Sequence, residues 1–204
     1  MERYELATLS TTMGAAAKLG ARLRDFCAAD GARGRLLGAW ASDIGPLNRV
    51  LVLRGFDSAA DAAAERARTL ASADPFGAGE VLTGLSLDTL APFPGLPPVE
   101  PGAFGPIYEI RSYVLKTGGL APTLEGWAEA LPGRTKLSKL LLATHAVDGP
   151  PRIVHIWPYA SLEERSRLRA ESVRVGVWPP RSAVWLTPAM ESTIGLPLDV
   201  SPLT

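Results

Sequence analysis

The side chains that could do chemistry in this 204-residue chain are few, and the best placed of them fall between residues 108 and 160. His155 lies in the run Ile153-Val154-His155-Ile156-Trp157, whose β-branched and aromatic residues predict a strand ended by Pro158. A period of two puts His155 on one face with Ile153 and Trp157, and turns Val154 and Ile156 to the other. A neutral imidazole there is suited to orienting a ligand or to acid–base work near neutral pH. The more ordinary role for such a histidine is a hydrogen bond within the core or at a sheet–helix interface. In Tyr108–Tyr113 the same alternation groups Glu109, Arg111 and Tyr113 on one face. Arg111 can grip a carboxylate with two parallel N–H bonds or, more simply, pair with Glu109 two residues away. Trp127 and Trp157 read as core anchors, of a kind that would also wall a pocket for an apolar or aromatic molecule.

Other chemistries lack their parts. If Ala143 pairs with His155, then His145 faces Ile153 and both imidazoles project to one side, yet no Asp, Glu or Cys at ligand spacing completes a metal site. The single cysteine, Cys27, lies beside Phe26 on a predicted helix and reads as a small buried apolar residue rather than a reactive thiol. No G-x-S-x-G, P-loop or G-x-G-x-x-G is present, so hydrolase, NTPase and dinucleotide readings have no support and no cofactor is expected. Arg165, Arg167, Arg169 and Arg174 alternate with Glu163, Glu164 and Glu171, which predicts a mixed, solvated helix face with no partner. Lys plus Arg number 21 and Asp plus Glu also 21, so neither nucleic acid nor an anionic membrane is an expected partner. The N-terminal MERYELATLS lacks a signal peptide's apolar core, and no apolar run approaches the roughly 18 residues of a membrane span, so the expected location is cytoplasmic.

The elements that must position these residues come in a repeated order. Arg3–Thr8 predicts a strand, with Tyr4 and Leu6 on one face and Glu5 and Ala7 on the other. Leu19, Leu23 and Phe26 mark one face of a helix over 15–29. Strands follow at 35–42 and 49–54, then a helix over 59–71 begun by Ser58 and Asp61, and a strand within 80–90 weakened at Gly84. Residues 92–106 carry six prolines and three glycines and read as a semi-rigid linker. The order then returns. Tyr4-Glu5-Leu6 matches Tyr108-Glu109-Ile110 and Gly14 matches Gly118, both 104 positions on, while Phe56, Ser58 and Arg66 match Tyr159, Ser161 and Arg169, 103 positions on. So regular an offset indicates an internal duplication. The second helix of that repeat opens on a capping box, Ser161 with Glu164. The expected fold is α+β: two ferredoxin-like βαββαβ repeats, 1–91 and 107–204, whose antiparallel sheets pack face to face as an intrachain α/β barrel.

The second repeat, YEIRSYVLKTGGLAPTLEGW followed by IVHIWPYASLEERSRLRA, resembles the NIPSNAP family. Glu109, Arg111, Tyr113, Lys116, Gly118, Trp127, His155, Trp157, Tyr159, Ser161, Leu162 and Arg165 sit where the family pattern puts such residues. In the first repeat Ala7 replaces the Arg, Leu9 the Tyr, Thr12 the Lys, Val52 the His and Arg54 the Trp. A site built from those side chains should therefore exist once, in the second repeat. The resemblance implies a dimeric α/β-barrel fold made here within one chain. It implies little about chemistry, since that superfamily holds cofactor-free oxygenases, haem-handling enzymes and proteins without known activity.

The leading expectation is a NIPSNAP-like protein that binds a small apolar or aromatic molecule between sheet and helices of the second repeat. His155, Arg111 and Tyr113 would be its polar contacts and Trp157 and Trp127 its walls. The alternatives are a cofactor-free oxygenase with His155 as base, and a protein-interaction scaffold with no pocket. Homo-oligomerisation stays open, because the intrachain barrel already supplies the contact that a single-repeat relative gains by dimerising.

Overall fold

The computed structural model describes the backbone of residues 1–204 and every side chain except that of Ala17. The first repeat runs β1 (Arg3–Thr11), α1 (Gly20–Ala28), β2 (Arg35–Ile44), β3 (Arg49–Phe56), α2 (Ala59–Ala71) and β4 (Leu82–Pro92). The second runs β5 (Ile107–Leu115), α3 (Leu120–Arg134), β6 (Leu142–Ala146), β7 (Arg152–Tyr159), α4 (Leu162–Arg174) and β8 (Leu186–Pro197). Both are βαββαβ. α1 starts later than the sequence suggests, and Ala16–Lys18 form a 3-10 turn instead. No side chain caps its first turn, so nothing at the Ala-rich approach fixes an earlier α-helical start. α4 has its cap: the Glu164 N–H donates to Ser161 Oγ at 3.0 Å. The Glu164 carboxylate returns to the N–H of Ala160, one residue ahead of the cap, at 2.6 Å.

The eight strands close into one antiparallel barrel in the order β1-β3-β2-β8-β5-β7-β6-β4. Within each half the order is that of a ferredoxin-like sheet, and its two free edges would invite association if left bare. The seams β2 with β8 and β4 with β6 cover all four edges. The inward faces merge into one core containing Tyr4, Leu6, Trp40, Tyr108, Val154 and Ile156. Trp40 and Tyr108, one from each half, meet there with ring centres 5.2 Å apart. The outward faces carry the helices, and each makes its own apolar layer. Gly84 stands at an irregularity, where the register with β1 slips between Ser10 and Thr11.

The segment 92–106 does more than connect. Val99 is buried in the barrel core together with Leu203 from the C-terminus, and its N–H donates to Tyr4 Oη at 3.0 Å. Gly102 bridges Leu203 in parallel. These two irregular stretches stopper the barrel, so its interior is a packed core and the open space lies elsewhere.

Strand register carries the duplication down to single residues. Glu5 pairs with Arg54 and Ala7 with Val52 between β1 and β3. Glu109 pairs with Trp157 and Arg111 with His155 between β5 and β7. Gly14 and Gly118 both lie in the left-handed region, at φ 75 and 78, where each half turns from its first strand toward its first helix.

Candidate functional site

The outward face of β5 and β7 is roofed by α3, α4 and the segment after α4. On α3, Trp127, Leu131 and Arg134 recur at spacings of four and three and so lie on one stripe against the sheet. The first two are apolar anchors. The third brings a guanidinium, 3% exposed, into an aromatic layer, with its central carbon 4.5 Å from the centre of the Trp157 ring. Gly126 lets the covering segment approach, because a Cβ there would stand 2.7 Å from Ser182 Oγ. The segment brings Trp178, whose ring meets Trp127 edge-on at 4.9 Å.

His155 sits at the middle of this layer, 2% exposed. Its ring centre is 4.9 Å from that of Trp127 and 5.1 Å from that of Tyr113. Trp157 Nε1 donates to His155 Nδ1 at 2.7 Å. An indole N–H is a donor only, so Nδ1 must offer its lone pair and the imidazole proton rests on Nε2. That Nε2 is buried and has no hydrogen-bond partner. Burial holds the imidazole well below its usual value of 6.5, and the charges of Arg111, Arg169 and Arg134 push the same way. His155 is thus a neutral ring with one free N–H.

Glu109 is the acidic centre of the face. Arg165 and Ser192 donate to its Oε1, Arg111 Nε lies 3.2 Å from that oxygen, and Arg169 lies 3.5 Å from Oε2. Burial pushes this carboxyl up, but the Arg165 hydrogen bond and the surrounding guanidiniums outweigh it and hold Glu109 below the usual carboxylate value. The expected pairing of Arg111 with Glu109 is present as a close charge pair, although Arg111 Nε is not aligned to donate into it. The expectation for α4 needs correction. Arg165 and Arg169 do not belong to a solvated face, because the turn of the helix aims both at Glu109.

Beneath α4 and Trp178 a cleft opens in two lobes that share Arg111, Arg169, Val173 and Trp178. The polar lobe, ≈ 220 Å³, is lined by Arg134, His155, Trp157 and Tyr159. The apolar lobe, ≈ 280 Å³, is lined by Tyr113, Trp127, Ile153, Leu186 and Met190. Of the five residues singled out from the sequence, the structure places His155 and Trp157 on the polar lobe, Tyr113 and Trp127 on the apolar lobe, and Arg111 on both. Arg134 and Trp178 complete the cleft and were not anticipated. Arg134 had a signal, a cation seven residues after Trp127 on the apolar stripe; Trp178, in an unpatterned stretch, had none.

Two other candidates lie outside the cleft. His145 faces Ile153 on β6, with its Nδ1 3.3 Å from the carbonyl oxygen of Ala146. Among the described residues no group of three or more His, Cys, Asp or Glu is arranged to hold a metal. Burial pushes the Cys27 thiol up to about 11, so it is not a thiolate at neutral pH. Among the described residues no helix is long and apolar enough to cross a membrane.

At the equivalent place in the first repeat the described side chains form an apolar layer. Val52 stands for His155, and Leu19, Leu23 and Phe76 fill the layer around it. Arg54 stands for Trp157 and is matched by carboxylates, hydrogen-bonding Glu5, Glu65 and Thr69.

Comparison with known proteins bears on the family and the fold. The NIPSNAP family model matches residues 4–77 and 108–202. Protein NipSnap homolog of Dictyostelium discoideum is 27% identical over 147 residues, a match that covers 70% of this chain and 65% of that protein's length. Among solved structures, an anthrone oxidase-like protein superposes with a TM-score of 0.70 at 11% identity, over 97% of this chain and 91% of its own. That likeness is one of fold. A NIPSNAP family protein of unknown function from Agrobacterium tumefaciens is 30% identical over 50% of this chain and 96% of its own, with a TM-score of 0.46. This chain belongs to the NIPSNAP family.

Proposed function

We propose that the chain is a ligand-binding protein that holds a small aromatic molecule in the cleft of its second repeat. The observation that carries this reading is the unpartnered Nε2–H of His155, buried yet bordering a cavity walled by aromatic rings. Native proteins rarely leave a buried donor unused, since desolvating it without a partner costs about 1–3 kcal/mol. A ligand acceptor supplies that partner. Trp127, Trp157 and Trp178 give the flat apolar walls, Arg111 gives a polar contact at the junction of the two lobes and Tyr113 one in the apolar lobe.

The oxygenase reading asks His155 to take a proton. With Nδ1 committed to the Trp157 indole and Nε2 already protonated, the ring has no free lone pair to act as base. The scaffold reading requires a filled sheet–helix layer, and the cleft argues against it.

Val173 borders both lobes and is 60% exposed, so a Trp there blocks the cleft without disturbing the core. Saturation-transfer NMR with 2-naphthol, indole and 2-naphthoate as probes should give signals with the wild type that vanish in Val173→Trp. Equal signals from both proteins, or none from either, would remove the cleft as a binding site.

A further inference from the structure

The two halves treat a buried guanidinium in opposite ways. Arg54, 1% exposed, is matched by Glu5 and Glu65, both buried with it, and Arg68 on Glu65 brings the network to two cations and two carboxylates. Arg134, 3% exposed, pairs with no carboxylate among the described residues, and its Nε and Nη1 have no hydrogen-bond partner. Stacking on Trp157 and Trp178 offsets part of the charge but bonds none of those N–H groups. An uncompensated buried charge is costly, and folds retain one where something else supplies the counter-charge.

The remainder of the polar lobe points the same way. Three guanidiniums, Arg111, Arg134 and Arg169, border it against the single carboxylate of Glu109. Glu109 is already engaged by Arg165 and Ser192. Arg111 and Arg169 also lean on Glu109, so the guanidinium left without a carboxylate is that of Arg134. The Nε2–H of His155 is a further donor without a partner, and its neutral ring adds no competing acceptor. Next to this donor-rich lobe lies the aromatic one.

We infer that the ligand is an aromatic carboxylate, its carboxylate seated between Arg134 and His155 in the polar lobe and its ring lying against Trp127 and Trp178 in the apolar lobe. A planar carboxylate matches the guanidinium fork and leaves an oxygen for the imidazole N–H. This inference rests on the binding role proposed above, and it specifies the chemical class that the cleft selects. It also makes Arg134 a residue kept for binding at the expense of stability.

The test is calorimetric titration of the full chain with 2-naphthoate and with 2-naphthamide, its neutral isostere, on wild type and Arg134→Met. One charge-assisted contact makes the acid bind about tenfold or more tighter than the amide, and Arg134→Met removes that preference while keeping the weak binding of the amide. The ligand-free Arg134→Met protein should also melt at a higher temperature than wild type, which shows that it folds and that the cation was uncompensated. Equal affinity for acid and amide overturns the inference and leaves the binding role standing. No binding of either probe overturns both. A preference that survives Arg134→Met shows that Arg134 is not the anion's partner, and a melting temperature that falls overturns the premise that its charge is uncompensated within the fold.

Discussion

Arg54 and Trp157 occupy the same position in the two halves of the barrel, each directly across from its neighbour strand's glutamate, Glu5 for Arg54 and Glu109 for Trp157. One half fills the place with a cation and closes the layer. The other fills it with an indole that holds His155 and leaves a cleft. The duplication thus supplies an internal control in which the same backbone is once packed and once open.

Removing the cation from the packed half should be severe. Arg54→Met strands the carboxylate of Glu5, which is 2% exposed and bonded by no other cation, whereas Glu65 keeps Arg68. Breaking a buried pair in this way costs about 3–5 kcal/mol. Denaturant unfolding should show that loss, and adding Glu5→Gln should restore much of it, with Glu65 left to hold Arg68. A loss under about 1 kcal/mol, the scale of a surface pair, would show that the network is not the buried neutral unit described.

The depressed pKa of His155 sets a pH dependence. The unfolded chain takes up this proton as pH falls through 6.5, whereas the folded chain resists to a much lower value. The unfolded state therefore binds more protons in that window, and stability rises with pH up to 6.5 and falls below it. The slope contributed grows from about 0.7 kcal/mol per pH unit at 6.5 toward about 1.4 a unit or more below it. The groups facing the ring are Arg111 on β5, Arg134 on α3 and Arg169 on α4, all cationic throughout the window, with Glu109 on β5 ionised in it. His155→Gln keeps an acceptor for the indole and a free donor but cannot titrate. Unfolding curves between pH 5 and 7 should be flatter for the variant, and identical slopes would place the proton uptake elsewhere.

Trp157 fixes the tautomer. In Trp157→Phe the Nδ1 atom loses its donor, and the net worth of that bond, about 0.5–1.5 kcal/mol, should appear as lost stability. The spectroscopic sign is more specific. Nitrogen NMR of the wild type should show a protonated Nε2 and an unprotonated, hydrogen-bonded Nδ1, and the variant should show a mixture of tautomers. A wild type already mixed would contradict the hydrogen bond.

Much of this was legible in the sequence because a strand's period of two leaves little freedom. The parity of Glu109, Arg111 and Tyr113, and of His155 with Trp157, placed all five on the outward face without knowledge of any contact. The near-constant offset between repeats gave the βαββαβ order twice. Helix faces were harder. A stripe of Leu and Trp reads as core, but an Arg that continues it, such as Arg134, or one that alternates with Glu, such as Arg169, reads as surface unless its long stem is followed back to the sheet. Trp178 could not be found at all, because its place depends on how an irregular segment folds against Gly126.

The central claim is that the second-repeat cleft receives an aromatic acid at donors already in place. A crystal structure of the chain grown with 2-naphthoate measures this most directly. The carboxylate should lie within hydrogen-bond distance of Arg134 and of His155 Nε2, with the naphthalene ring against Trp127 and Trp178 and Trp157 still donating to His155 Nδ1. A cleft without the probe, or a probe bound with its carboxylate turned away from Arg134 and His155, would contradict the account.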